Sequence, residues 1–188
     1  MLKFIFFIFS ISFVSTQDLS NYFKDIEIGN IDKVRSEISD LLIKYPSSDG
    51  VMYLSALLKE RAEEAVISYK ALIQNYPKSS YADDALVKIG EYLYARGLYT
   101  QASFELRKIP LKYSKSEHIQ RSIDLQINSL LAIGENDSAK YYIKKYSNIY
   151  TSLDFTYDFS FETPLITRPL SSNFTSKLSE NNNKSLVH

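Results

Sequence analysis

Two carboxylate pairs, Glu63–Glu64 and Asp83–Asp84, and one internal histidine, His118, are the side chains best suited to hold or move a proton. Neighbouring carboxylates can serve as acid and base when their surroundings push their proton affinities apart. Here each pair opens a stretch of helical periodicity, where the helix dipole alone favours first-turn acids. His118 also falls in the first turn of such a stretch and reads as a surface residue rather than a ligand. The second histidine, His188, is the last residue. No glycine-rich phosphate loop, paired-histidine metal spacing or nucleophile elbow is present, and the 188 residues include no Cys. The inventory contains no catalytic residue, cofactor motif or metal site, and points away from an enzyme.

Composition narrows the partners. Lysine plus arginine equal aspartate plus glutamate at 22 each, so no overall field steers the chain to nucleic acid. Residues 4–14 form an apolar run after Lys3, interrupted only by Ser10 and Ser12. A run of eleven is too short to span a membrane, which takes about 20 apolar residues. It has the form of a secretory signal over residues 1–16, with Val14 and Thr16 allowing cleavage before Gln17. No Cys follows, so a lipoprotein anchor is not expected.

The elements that would position a functional face follow from a repeat. Val34, Ala65, Ala102 and Ala139 each stand eleven residues before a Tyr: Tyr45, Tyr76, Tyr113 and Tyr150. Successive units are 31, 37 and 37 residues apart. Five positions before three of the small residues stand Gly29, Gly97 and Gly134, with Glu60 in the remaining unit. A fixed period of this size marks an array of similar units, each burying its apolar face on its neighbours.

Within each unit the apolar residues recur at three and four, which predicts helix pairs. The pairs are 18–28 with 31–44, 48–59 with 61–75, 80–96 with 99–109, and 116–133 with 135–147. Ser80–Asp83 and Ser114–Glu117 have capping-box spacing, and the three glycines suit left-handed residues at the bends. Pro110 predicts a stop or kink at Ile109.

Counting outward from Ala102, the order Leu86, Ile89, Gly90, Leu93, Ala102, Leu106 and Ile109 resembles the tetratricopeptide repeat. The likeness spans residues 17–150 as four units and implies an all-α, antiparallel helix-pair solenoid. Tyr53 and Ile127 depart from it at the first small position. The stretch from Asn75 through Pro77 and Tyr81 to Ala85, with Gly90, Gly97 and Tyr99, resembles the linker of exported bacterial envelope proteins of this class. The Tol–Pal-associated cell-division coordinator and BamD are examples. That likeness implies the periplasm or cell envelope of a bacterium as location.

In the family the first helix of each pair lines a concave groove that binds a partner peptide or helix. Carried onto this chain, the groove positions are Asp84, Val87, Lys88, Glu91 and Tyr94 in unit three. In unit four they are Arg121, Asp124, Asn128 and Leu131. The resemblance thus implies a protein partner, held with Tyr94 as aromatic anchor. The same positions also suit the solvated face of two amphipathic helices. The family's Lys/Asn/Arg set for clamping a peptide carboxylate is not reproduced, which argues against a chaperone-tail adaptor. A structural self-assembly module is the alternative function.

After Tyr150 the period changes to two: Leu153, Phe155, Tyr157, Phe159 and Phe161 alternate with polar residues. This extended segment, 151–166, suits either strand addition to a partner or a cap over the last unit. A cap is preferred, because an exposed apolar row invites aggregation. From 167 onward Pro169 and a Ser/Asn-rich end predict disorder.

Overall fold

The structure is a computed structural model that describes residues 18–157. The signal segment, the end of the alternating segment and the tail expected to be disordered lie outside the described residues. The described chain is helical, with α1 Ser20–Glu27, α2 Ile31–Lys44, α3 Asp49–Leu57, α4 Ala62–Asn75 and α5 Ala82–Ala95. It continues with α6 Tyr99–Leu106, α7 Lys108–Lys112, α8 Ile119–Ala132 and α9 Asn136–Ile149. No strand occurs among the described residues.

Chemistry at the boundaries explains these limits. Gly29, Gly97 and Gly134 take φ of 91°, 72° and 76°, a region that costs Gly little. After each, the next backbone N–H reaches five residues back, as in Leu98 to the Leu93 carbonyl at 2.9 Å. That closes the helix end in a Schellman motif. At the other end of each unit, Tyr45, Tyr76, Tyr113 and Tyr150 are all C-caps, with φ between −132° and −116° and ψ between 59° and 69°. The eleven-residue spacing in the sequence is therefore the distance from the packing point of a second helix to its end.

Pro110 breaks a helix, but earlier than the sequence suggested. A proline lacks the N–H that would bond to residue i−4 and crowds that carbonyl. Here residue i−4 is Leu106, the last of α6, and the interruption falls at Arg107 rather than Ile109. Pro110 then lies in the first turn of α7, where a missing N–H leaves nothing unpaired. The expected capping boxes are not formed either. Ser79 Oγ accepts from the Tyr81 N–H and Ser116 Oγ from the His118 N–H, both at 3.1 Å, just upstream of α5 and α8. A turn precedes each of these helices, as in Ala82 N–H to Ser79 carbonyl at 3.2 Å, so the capping serine shifts back along the chain.

Helices pack chiefly on their chain neighbours, and α8 rests on both α5 and α6. The buried side chains form three groups in chain order, around Val34 and Leu54, around Tyr69 and Leu106, and around Ile123 and Tyr146. Fully burying one such leucine contributes about 2 kcal/mol. Val34, Ala102 and Ala139 are completely buried, as the repeat requires. Ala65 is not; it is half-buried. The link into its helix, residues 58–61, is one residue longer than 28–30, 96–98 and 133–135, and Glu60 replaces the glycine. The tight turn that presses the other pairs together is missing there. At Gly90 the Leu106 side chain of α6 sits against the α5 backbone, where an added Cβ would collide with it.

Residues 151–157 form a turn and then continue without helix or strand. The period-two pattern nevertheless survives in burial. Leu153, Phe155 and Tyr157 are half-buried on the C-terminal core group, while Ser152, Asp154 and Thr156 are exposed.

Candidate functional site: the face shared by α5 and α8

Asp84, Lys88 and Glu91 follow one another at helical spacing along α5, and Arg121, Asp124 and Asn128 do so along α8. The packing of α8 on α5 sets the two rows side by side. Arg121 donates through Nε to the Glu91 carboxylate, joining the rows. Glu91 is only 3 % exposed, and its second oxygen lies 3.8 Å from the Lys88 ammonium. One turn earlier, His118 at the start of α8 hydrogen-bonds Asp84 at 2.6 Å.

The row is thus a set of charged links between units rather than a freely solvated stripe. Tyr53 and Tyr69 lie behind it, and burial, reinforced by Asp84 and Glu91, pushes both hydroxyls above their ordinary range. Asn128 is 1 % exposed, and neither of its amide atoms has a hydrogen-bond partner among the described residues. Leaving a buried polar group unpaired costs about 1–3 kcal/mol. Arg121 Nη2 and Glu91 Oε2 also lack hydrogen-bond partners there.

Tyr94 does not join this face. It is 8 % exposed and packs edge-on against Tyr99, ring centroids 5.3 Å apart, within the core between α5 and α6. Burial, then the neighbouring Tyr99, raises its hydroxyl to about 12. It is a packing residue, and truncating it would disturb the fold. Val87 is likewise buried, in the C-terminal core group, and Leu131 packs against that group.

Asp124 is engaged by its own chain. It accepts from Gln120 Nε2 at 2.9 Å and from the Tyr157 hydroxyl at 2.8 Å. Gln120 also holds the backbone of Asp154 from both sides, Nε2 donating to its carbonyl and Oε1 accepting its N–H, each at 2.9 Å. Sequence reasoning missed Gln120 and read His118 as a surface residue without its Asp84 partner, because an amide or imidazole on a helix carries no signal of a partner more than 30 residues away. Asp84, Glu117 and His118 bring ligand atoms within 4.8 Å of one another. The direct Asp84–His118 bond makes this group an inter-unit latch. The carboxylate pairs do not converge: Glu63 accepts from Tyr92 at 3.2 Å and Glu64 lies 3.4 Å from Arg61.

The exposed surface carries a second regularity. Ile67, Phe104 and Tyr141 each fall two residues past their unit's small residue, and all three are exposed. Arg107 and Lys108 lie over the Phe104 ring at 4.4 and 4.7 Å. Among the described residues no helix is long and apolar enough to cross a membrane. No protein-family model matches the chain, and no curated protein matches it.

Proposed function

We propose that this chain is a non-catalytic protein-interaction scaffold, a tetratricopeptide-like solenoid of four antiparallel helix pairs exported to a bacterial cell envelope. Its concave face, lined by α5 and α8, holds a peptide or helix of a partner protein. The observation that carries this reading is the repeated unit end. Four tyrosine C-caps of near-identical backbone geometry, three of them in units with a fully buried small residue, argue for one unit repeated in series. Arrays of this kind present extended surfaces made from equivalent helices. The mixed charges of Asp84, Lys88, Arg121 and Asp124 suit a peptide better than a phosphate backbone.

Capture from native envelope extracts tests the proposal. The full chain retains a discrete partner, and Lys88→Glu combined with Asp124→Lys loses it with the helical signal intact. Equal capture by both would turn the reading toward the alternative, a self-assembly module. Light scattering separates that alternative, which requires an oligomer whose size does not change with concentration.

A further inference from the structure

The segment 153–157 does more than cover apolar surface. Coverage alone needs side chains, and Leu153, Phe155 and Tyr157 supply them. The backbone of Asp154 is gripped separately, by both atoms of the Gln120 amide at 2.9 Å. A primary amide that donates to a carbonyl and accepts from the same residue's N–H imitates one rung of a β-ladder. Such a grip is blind to the side chain at that position. Three residues on, Asp124 takes the Tyr157 hydroxyl at 2.8 Å. The face of α8 therefore has a backbone reader, a carboxylate that takes a donor, and an apolar strip beside them. The segment leaves α9 through a single turn, Leu153 N–H to the Tyr150 carbonyl at 3.1 Å.

We propose that this seat docks an extended, strand-like segment of a partner protein, and that residues 153–157 are its intrachain competitor. The matching segment has apolar side chains at alternate positions and a hydroxyl or amine donor on the third. The inference rests on the reading of the α5–α8 face as an interaction surface. A short tether gives the intrachain segment an effective concentration in the mM range. A partner gains the seat only by binding better than that, so weak or mismatched segments are excluded.

The test uses the full chain and a labelled synthetic peptide with the sequence of residues 151–157. The variant Leu153→Ser/Phe155→Ser/Tyr157→Ser removes the apolar contacts and the Tyr157 hydroxyl that help hold the segment, leaves Gln120 and Asp124 in place, and binds the peptide at least tenfold more tightly than the unaltered chain. Adding Gln120→Ala to that variant removes the gain. Equal binding by the opened and unaltered chains overturns the inference. Should the triple variant unfold, amide exchange in the unaltered chain decides. The Asp154 N–H is protected, and Gln120→Ala abolishes that protection; equally fast exchange in both overturns the inference. Absence of the tenfold gain defeats the competitor inference alone. The scaffold reading fails separately, if partner capture ignores Lys88 and Asp124.

Discussion

The Tyr150 hydroxyl donates to the Pro110 carbonyl at 2.7 Å, tying the end of the last unit to the kinked helix of the unit before it. Tyr113 makes the corresponding reach to the Pro77 carbonyl, at a longer 3.4 Å. In these two units the repeating tyrosine is thus both a helix end and a tie to the unit before. Removing one such bond costs about 1 kcal/mol. Tyr150→Phe is expected to lower unfolding stability by that amount and Tyr113→Phe by clearly less, measured by urea denaturation.

The packing points of the units differ in how tightly they close. Ala102 is completely buried, whereas Ala65 is half-buried behind its longer link. Ala102→Leu therefore overpacks the α5–α6 contact and costs about 1–3 kcal/mol. Ala65→Leu has room to turn outward and costs less than half as much. Equal losses in denaturation midpoint would contradict the asymmetry.

The latch between Asp84 and His118 makes stability depend on pH. The Asp84 hydrogen bond, partly opposed by burial, raises the His118 imidazole above its usual 6.5, and Asp84, Glu117 and Asp83 all add to the rise. A folded value above the unfolded one stabilises the protein fully below about 6.5, and the benefit is lost as pH rises through the folded value. His118→Ala should accordingly lower the melting temperature more at pH 5.5 than at pH 9. A loss independent of pH would show that the imidazole acts by packing alone.

The buried ion pair carries a different signature. Glu91 is 3 % exposed, while the Arg121 side chain keeps 26 % of its surface in water. Arg121→Met leaves the buried carboxylate with the more distant Lys88, at a cost of about 3 kcal/mol. Glu91→Leu combined with Arg121→Met removes both charges and recovers most of that loss. A double variant as unstable as the single one would contradict the assignment.

How far the sequence could be read depends on the range of the physics involved. Helix positions, the three glycine bends and the terminal tyrosines were legible because they express local periodicity and local backbone preference. The displaced break at Arg107 also follows from Pro110, once the clash is assigned to the carbonyl of Leu106 rather than to the preceding residue. Tyr94 illustrates what was not legible. It lies at helical spacing with Asp84, Lys88 and Glu91, but the α5 surface near it is covered by α6, and the contact with Tyr99 places it in the core. Which stripe of a helix is buried on a later helix is a tertiary fact. The pairing of Gln120 with Asp154, 34 residues away, is another.

Site-specific photocrosslinking in native cells tests the central claim most directly. A photoreactive residue replacing Lys88 on the α5–α8 face is expected to trap a discrete partner protein, and one replacing the exposed Ile67 of α4 is expected to trap none. Adducts formed only from Ile67, or adducts from Lys88 at twice the mass of the chain, would contradict a scaffold that holds its partner on the α5–α8 face.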